Sequence, residues 1–399
     1  MPAMKLSEPT VAQALAEIDQ STFDGDDLGR RAALIEAQNL VNRLEKPHEF
    51  INKITLTQPM QLIVLKIASE SGLFLQLSSK PKTVSEIAAG IGGDEELVER
   101  LTRLLGATGV IKEVAIDTFV DTELSAQLKD KNGMITGVQW VWDVSLQQMQ
   151  NLPTYFKETK YKNPIDAKHP PWCRVVNSSL GMFEWLNERP EVHTTFNNFL
   201  ASLLSDFPKW TEIYPTERLL EGYNPETALC VDVGGGHGID MLNLAEVLPE
   251  EYKNARLVLE DQPNVVAEAA KRGHLPANVE TVPYSFFNEN PVKGARTYLI
   301  HSCLHNWPDK ESAQILSRLR EAMTPGYSKL LIYEPVIPAS VDEVIPIAAA
   351  LDLHMMCHCA AGERTQKQWE KLLGQAGLRF KDYTGITGFP WGVIEAEAI

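Results

Sequence analysis

The pattern of apolar and polar residues changes near residue 226. From there to the C-terminus, short apolar runs such as "ALCVDV" and "ARTYLI" alternate with amphipathic segments such as "DKESAQILSRLREAM". Apolar strands that alternate with helices of period 3.6 are typical of βαβ units. Residues 226–399 are therefore expected to form an α/β domain with a doubly wound, mainly parallel sheet. Ligands of such sheets bind beyond the carboxyl ends of the strands.

The chain before residue 226 has a mostly helical pattern. Residues 1–58 carry apolar residues at helical spacing up to Pro47, and they predict amphipathic helices that pack either on a partner subunit or on their own domain. Residues 59–130 predict three helices and a β-ribbon, "VIKEVAIDTFVDT", which is the order of a winged helix. Thr83 with Glu86 forms a predicted capping box, and Asp94 a predicted N-cap.

Residues 131–225 are predicted to be helical and rich in aromatic side chains. Prolines at 153, 164, 170 and 171 are expected to interrupt these helices. Most of the aromatic residues should be core, and a few, with Met182 and Phe183 as candidates, should line a pocket for an aromatic substrate.

The charge balance argues against a nucleic-acid partner. The 399 residues include 37 Lys and Arg against 53 Asp and Glu, a net charge of −16, without a basic cluster that could neutralise phosphates. A winged helix with this charge favours dimerisation over DNA binding.

The sequence indicates a cytoplasmic protein. No apolar run is long enough to cross a membrane, and the N-terminus lacks the apolar core of a secretory signal. The five cysteines, an odd number, favour reduced thiols.

A glycine-rich loop follows the first predicted strand of the α/β domain. In "VDVGGGHG", Gly234, Gly236 and Gly238 allow a ligand to approach the backbone closely. A dinucleotide fingerprint would need glycine or alanine where Ile239 or Met241 stands, so NAD is disfavoured. Asp232, just before the loop, is suited to accept a hydrogen bond from an amine. The combination favours S-adenosylmethionine, a nucleoside that carries an amino acid.

The next strand ends in two acidic residues. In "LVLED", Glu260 and Asp261 both qualify to bind the two hydroxyl groups of a ribose. The structural alternative is a solvated charge at the end of a strand.

Two histidines four residues apart follow the strand "ARTYLI". They are His301 and His305 in "HSCLHNWPDK", and their spacing alone does not distinguish a catalytic base from a neighbour of a helix cap. A histidine with its ordinary pKa near 6.5 is suited to remove a proton near neutral pH.

Five motifs together resemble a known family. "VDVGGGHG", "LEDQPNVV", "LHNWPD", "YEPVIP" and "AAGERT" occur in the order found in the small-molecule O-methyltransferases of plant caffeate and flavonoid type. The likeness is closer still to their fungal secondary-metabolite relatives, and it covers residues 60–399. It implies a class I methyltransferase domain, S-adenosylmethionine as cofactor, and a homodimer formed through the N-terminal region.

The resemblance also assigns roles to residues. It implies that His305 is the general base for a phenolic or enolic hydroxyl of a small secondary metabolite, flanked by Glu334 and Glu363. The remaining implied residues are on the cofactor side: the three glycines and Asp232 at the amino-acid end, Asp261 on the ribose, Phe286 on the adenine, and His301 where the plant enzymes carry a lysine. Ser285 replaces an aspartate that many relatives use near the adenine.

The segment "LDLHMMCHCAAGE" contains residues typical of metal sites. His354 and His358 share one helical face, but Cys357 and Cys359 do not have the usual zinc-ligand spacing, so no metal is expected. The matching segment of the family lines the substrate pocket, which makes Met355 and Cys359 candidates for substrate contact, with core packing as the alternative.

Two other functions are compatible with this architecture. One is a methyltransferase fold that catalyses a cyclisation or pericyclic reaction on a polyketide-type substrate, and the change at Ser285 leaves room for it. The other is a non-catalytic regulator that binds DNA, which the acidic charge disfavours.

Overall fold

The computed structural model describes residues 11–205 and 207–399. Residues 1–10 of the predicted N-terminal helices lie outside this range. The helices of the first third of the chain are α1 (Val11–Ala16), α2 (Asp27–Leu44), α3 (Pro47–Asn52), α4 (Gln58–Ser71), α5 (Leu73–Gln76), α6 (Val84–Ile91), α7 (Glu95–Ala107) and α8 (Glu123–Gln127). A 3-10 turn, Gln20–Phe23, precedes α2, and a π-helical turn, Lys53–Thr57, joins α3 to α4.

The predicted β-ribbon of the N-terminal region is present. Strands β1 (Lys82–Thr83), β2 (Ile111–Ala115) and β3 (Thr118–Asp121) form an antiparallel sheet in the order β1-β3-β2. The predicted capping box between Thr83 and Glu86 starts α6, and the Asp94 side chain caps α7. These helices and the ribbon share one apolar core. The winged-helix assignment and its role in dimerisation stay predictions.

The middle of the chain is helical. Its helices are α9 (Ile135–Trp140), α10 (Leu146–Glu158), α11 (Pro171–Val175), α12 (Met182–Asn187), α13 (Pro190–Ser205), α14 (Trp210–Ile213) and α15 (Glu217–Leu220). A second π-helical turn, Val141–Ser145, joins α9 to α10. The predicted break at Pro153 is wrong, because Pro153 lies inside α10. A proline removes only one helical hydrogen bond, and the packing of α10 against neighbouring helices holds the rest of it in place.

The C-terminal region alternates strands with helices, as predicted. Its strands are β4 (Cys230–Val233), β5 (Leu257–Asp261), β6 (Val279–Pro283), β7 (Thr297–His301), β8 (Lys329–Ile337), β9 (Arg364–Thr365), β10 (Leu378–Gly385) and β11 (Trp391–Ala398). Its helices are α16 (Ile239–Val247), α17 (Pro263–Arg272), α18 (Asp309–Ala322), α19 (Pro346–Cys359) and α20 (Gln366–Gln375). Short 3-10 turns lie at Glu250–Tyr252, Leu304–Asn306 and Val341–Glu343.

The large sheet has the order β10-β11-β8-β7-β4-β5-β6, and β9 pairs with the end of β8. Five neighbouring strands of this sheet, β8, β7, β4, β5 and β6, are parallel, whereas β11 is antiparallel to both β8 and β10. Alternate residues of the central strands enter two separate apolar cores, one with α18 and α20 and the other with α14 and α16. Helices therefore cover both faces, and the expected α/β fold with a helical N-terminal region is confirmed.

The parallel strands bring their carboxyl ends to one edge of the sheet. Strands β4, β5, β7 and β8 end there, and each carries one of the predicted motifs. None of the helices in the described part of the chain is long and apolar enough to cross a membrane. The boundaries predicted at residues 58, 130 and 225 stay predictions.

Candidate active site

The glycine loop connects β4 to α16. Gly234, Gly236 and Gly238 all have positive φ angles, of 76°, 58° and 82°. A Cβ atom at Gly234 would lie 2.8 Å from Sγ of Cys303, and one at Gly238 would lie 2.7 Å from Cδ2 of Leu275. Both the backbone conformation and the available space therefore require glycine at these two positions.

Asp232 lies beneath this loop. It is fully buried, and neither carboxylate oxygen has a hydrogen-bond partner among the described residues. A Cβ atom at Gly235 would lie 2.2 Å from Oδ2 of Asp232, so the carboxylate lies directly against the loop. Burial, with a further contribution from Asp240, raises the pKa of Asp232 well above its usual range. A buried carboxylate without partners is unfavourable, and a ligand with a positively charged amine would satisfy it.

The two acids at the end of β5 have different surroundings. The Oδ2 atom of Asp261 accepts a hydrogen bond from the amide of Gly236 at 2.8 Å, so its carboxylate lies at the glycine loop. Glu260 instead accepts from the side chain of Asn290 at 2.6 Å and is fully buried. Burial raises the pKa of Glu260 to about 7. Of the two candidates that the sequence left open, Asp261 is the one placed to meet a ligand of the loop.

Phe286 and Ser285 follow the neighbouring strand, β6. A Cβ atom at Gly234 would lie 3.7 Å from the ring of Phe286, so this ring covers the start of the glycine loop. The ring also makes an edge contact with Trp307, with 6.1 Å between centroids. The Ser285 side chain is exposed.

His301 lies at the end of β7 beside the same loop. Its Nδ1 atom is 2.7 Å from Oδ2 of Asp240, in the first turn of α16, and its ring packs on Tyr333 with 4.3 Å between centroids. Its Nε2 atom is buried and has no partner among the described residues. Sequence reasoning missed Asp240, although an acidic residue in the first turn after the glycine loop is a recognisable signal.

His305 lies on a 3-10 turn just after β7. The chain enters this turn through Ser302, which has a φ of 48°, a strained conformation for a residue other than glycine. The Nδ1 atom of His305 is 2.9 Å from Oε1 of Glu363 and 3.7 Å from Oε2 of Glu334. Both carboxylates therefore face the same nitrogen, which leaves Nε2 for a further partner. The carboxylate of Glu363 is therefore the nearer one. The carboxylate of Glu334 also accepts a hydrogen bond from the amide of Leu304 at 2.7 Å.

The pairing of β8 with β9 explains how the two glutamates meet. Val336 of β8 is paired with Arg364 of β9, which brings Glu363 beside the end of β8. The amide of Glu363 donates to Oδ1 of Asp352, on α19, at 2.8 Å. A Cβ atom at Gly362 would lie 2.4 Å from the same oxygen. Asp352 thus fixes the turn that carries Glu363, a role that no local sequence pattern indicated.

Arg364 holds the turn that carries His305. Its guanidinium donates to the carbonyl oxygens of Leu304 at 3.1 Å and Trp307 at 2.8 Å, and it pairs with Asp309 at the start of α18. The side chain is buried and lies over the ring of Trp369. Sequence reasoning missed this residue as well, because its partners become neighbours only in the folded protein.

The two carboxylates change the protonation of His305. Burial alone would lower the pKa of His305, but the charges of Glu334 and Glu363 outweigh it and raise the pKa to about 9. Burial raises the pKa of Glu334. His305 in the ligand-free protein is therefore an imidazolium at neutral pH, and it becomes a proton acceptor as the pH approaches 9.

The candidate substrate residues do not all lie together. Met182, Met355 and Cys359 are buried in one aromatic cluster with Trp140 and Trp172. Phe183, in contrast, is 39% exposed, and its ring makes an edge contact with Phe196, a further member of the cluster, with 6.4 Å between centroids. Helix α19 carries Met355 and Cys359 and also Asp352, so it links this cluster to Glu363.

The histidines of α19 stack on each other, with 4.1 Å between the ring centroids of His354 and His358. In the described part of the chain, the side chains that could together hold a metal ion are instead His305, Glu334 and Glu363, whose ligand atoms lie within 4.8 Å of one another. The expectation of a metal-free site stays a prediction.

Comparison with known proteins decides the family. Residues 162–379 match the model of the O-methyltransferase domain. The chain is 32% identical to "O-methyltransferase mfmE" of Annulohypoxylon moriforme, over 98% of this chain and 96% of that protein. The chain belongs to the O-methyltransferase family. The methyl donor of this O-methyltransferase is S-adenosylmethionine, and the unpartnered Asp232, the glycine loop and Asp261 fit its amino-acid and ribose groups.

Two solved structures resemble the whole O-methyltransferase chain. One is described as the structure of LepI in complex with SAM, with a TM-score of 0.85 and 26% identity over 97% of this chain and 96% of that chain. The other, described as "A Pericyclic Reaction enzyme", has the same TM-score and identity and covers 97% of each chain.

Proposed function

We propose that this enzyme transfers the methyl group of S-adenosylmethionine to a phenolic or enolic hydroxyl of a small secondary metabolite, with His305 as general base. The observation that carries the proposal is the pair of carboxylates on Nδ1 of His305, at 2.9 and 3.7 Å. They hold the imidazole in one orientation and leave Nε2 as the nitrogen that can accept a proton.

The proton transfer is well matched in energy. A phenol has a pKa near 10, and the carboxylates raise the pKa of His305 to about 9. The acceptor hydroxyl gives its proton to Nε2, and the resulting imidazolium is stabilised by Glu363 and Glu334. When bound, S-adenosylmethionine supplies an electrophilic methyl group on a sulfonium. The remaining task of the protein is to align the acceptor oxygen with that methyl group in a closed site.

The cofactor side uses the residues at the edge of the sheet. Asp232 and the loop glycines would hold the amino-acid end, Asp261 the ribose and Phe286 the adenine ring. His301 would act through Asp240, its partner at 2.7 Å, rather than as the direct contact made by the lysine of plant enzymes. Ser285 would offer the adenine a neutral hydroxyl in place of a carboxylate.

A second candidate is a cyclisation or pericyclic reaction on a polyketide-type substrate. It is favoured by the likeness, over 97% of this chain, to the structure described as a pericyclic reaction enzyme. The two candidates differ in one product, because only methyl transfer converts the cofactor to S-adenosylhomocysteine.

The test is a panel of phenols and enols incubated with the enzyme and S-adenosylmethionine. Methylation predicts equal amounts of S-adenosylhomocysteine and methyl ether, in the presence or absence of a chelator. A substrate that is isomerised without release of S-adenosylhomocysteine would favour the second candidate. Loss of activity on chelation, restored by one metal, would contradict the metal-free mechanism.

We also propose a cytoplasmic homodimer that does not bind nucleic acid. Helices α2 and α3 bury none of their residues within the chain, and Leu34, Leu44 and Ile51 are all more than half exposed. Apolar side chains in this number on successive helices are typical of a subunit interface. The net charge of −16 supports the absence of a nucleic-acid partner.

A further inference from the structure

The aromatic cluster beside the active site contains polar atoms without partners. His358, Trp140 and Trp172 are buried, with exposures of 1%, 1% and 0%. The Nε2 atom of His358 and both indole Nε1 atoms have no hydrogen-bond partner among the described residues. The His358 ring centroid is 5.3 Å from that of Trp172 and 6.5 Å from that of Trp140. Three unpartnered nitrogens on adjacent buried rings are costly unless a ligand satisfies them.

The tautomer of His358 follows from its one hydrogen bond. Its Nδ1 lies 2.8 Å from the carbonyl oxygen of His354, which can only accept, so Nδ1 carries the proton. Burial lowers the pKa of His358 to about 3, with a smaller contribution from the neighbouring His354, so the ring is neutral. The Nε2 atom is therefore a hydrogen-bond acceptor, whereas an indole N–H can only donate.

The three nitrogens together match the hydrogen-bonding capacity of a hydroxyl group. A hydroxyl has one proton to give, here to His358, and two lone pairs that can accept from Trp140 and Trp172. Ser145 and Gln148, on the π-helical turn and α10, are also buried with unpartnered oxygens. An ether, a ketone or a purely apolar ring would leave the His358 nitrogen unsatisfied.

The position of this patch connects it with the substrate. His358 lies on α19, the helix whose Asp352 binds the amide of Glu363 at 2.8 Å. The same helix contributes Met355 and Cys359 to the cluster. Helix α19 thus connects the support of Glu363 to the aromatic rings that contact His358.

We infer that His358, Trp140 and Trp172 form a subsite for a second hydroxyl of the methyl acceptor, remote from the hydroxyl that is methylated. The inference rests on the proposed function, since it assumes that the acceptor occupies the aromatic cluster. It narrows the substrate class to aromatic compounds with two separated hydroxyl groups, and it makes these residues determinants of specificity rather than of chemistry.

The experiment measures binding, so that it does not depend on turnover. Protein saturated with S-adenosylhomocysteine is titrated calorimetrically with naphthol, with a dihydroxynaphthalene whose hydroxyls are on opposite rings, with its monomethyl ether, and with a hydroxynaphthamide. We expect the diol to bind about tenfold more tightly than the ether, the difference that one satisfied hydrogen bond produces. Naphthol lacks all three hydrogen bonds and should bind no more tightly than the ether.

The variants identify the residues responsible. His358→Phe keeps an aromatic ring but removes the acceptor, so it should abolish the preference for the diol. His354→Phe, one turn earlier and in the same stack, is the matched control and should keep the preference. Trp172→Phe provides a second test, since it removes one N–H donor and should reduce the preference even if His358→Phe fails to fold.

Three results would overturn the subsite: equal binding of all probes or of none, a preference that survives His358→Phe and Trp172→Phe, or a preference for the amide alone. Failure of the proposed function gives a different result. In that case the diol preference remains dependent on His358, but the enzyme supplied with S-adenosylmethionine forms no S-adenosylhomocysteine with any probe. Methylation of the naphthols without a His358-dependent preference would remove the subsite only.

Discussion

At the scale of single residues, two buried carboxylate groups differ in whether they have a partner. Glu363 has a cationic partner in His305, whereas Asp232 has no partner among the described residues. The sequence motifs pointed to Glu363 and to Asp232. The motifs could not indicate that Glu363 and Glu334 face the same nitrogen of His305, because that geometry depends on the pairing of β8 with β9.

The pH dependence of activity tests the state of His305. Because the pKa of His305 is raised to about 9, kcat/KM should increase with pH and level off above that value. The inflection in kcat should be lower, since a bound sulfonium repels the imidazolium. Glu363→Gln removes one of the charges that raise the pKa and should lower the inflection in kcat/KM. An inflection that is identical in wild type and variant would contradict this account.

The same shift affects stability. The pKa of His305 is higher in the folded than in the unfolded state, so the ion pairs stabilise the fold fully below pH 6.5. This contribution is lost as the pH rises through 9.

Asp232→Asn should have opposite effects on stability and cofactor affinity. Burial raises the pKa of Asp232, so its charged form opposes folding at neutral pH, and the neutral amide should raise the melting temperature of the ligand-free protein. Affinity for S-adenosylhomocysteine should fall about ten- to a hundredfold, since a charged hydrogen bond to the amine is lost. Differential scanning fluorimetry and calorimetry measure the two effects. Asp166→Asn, an exposed control, should not change cofactor affinity, and unchanged affinity in Asp232→Asn would contradict the assignment.

At the scale of elements, the sheet edge was predictable and the supports of the catalytic turn were not. Strands β4, β5, β7 and β8 follow from their apolar runs, and the glycines permit the positive φ angles that the loop adopts. Asp352 binds the backbone amide of Glu363, and Arg364 binds the backbone carbonyl of Leu304. These partners are distant in the sequence, so no local pattern indicates them. Pro153 shows the reverse error, in which a strong local signal is overridden by the packing of α10.

Arg364→Lys tests the support of the catalytic turn. A lysine keeps the charge but cannot bind the carbonyl oxygens of Leu304 and Trp307 together, so His305 should lose its fixed position. We expect kcat to fall about a hundredfold, the effect of a small misplacement of a catalytic group. Cofactor affinity should stay the same, and the inflection of the pH profile should move. Arg318→Lys, in the exposed pair with Glu321, is the control. A variant with unchanged kcat would show that Arg364 is not needed for positioning.

At the scale of the whole molecule, the chain combines a sheet that carries the site with two N-terminal helices, α2 and α3, that bury none of their residues. The fold class followed from the alternation of strands and helices after residue 226. The subunit arrangement could not be derived in this way, because the exposed apolar side chains of α2 and α3 do not by themselves identify their partner.

Leu34→Glu combined with Leu44→Glu tests the proposed dimer. These two side chains are 63% and 71% exposed, and two carboxylates in an apolar interface should dissociate it. Light scattering coupled to size exclusion should give a dimer for the wild type and a monomer for the variant. Val341→Glu, at an apolar position of the C-terminal region that is 85% exposed, should remain dimeric. A wild-type monomer at all concentrations would refute the dimer.

The most direct test of the central claim is methyl transfer by His305→Ala. With a phenol that the wild type methylates, single-turnover formation of S-adenosylhomocysteine should fall about a hundred- to ten-thousandfold, the contribution of a general base. Cofactor affinity should be retained, and His169→Ala, an exposed histidine with an aspartate partner of its own, should be as active as the wild type. Turnover by His305→Ala at the wild-type rate would contradict the assignment of His305 as the base.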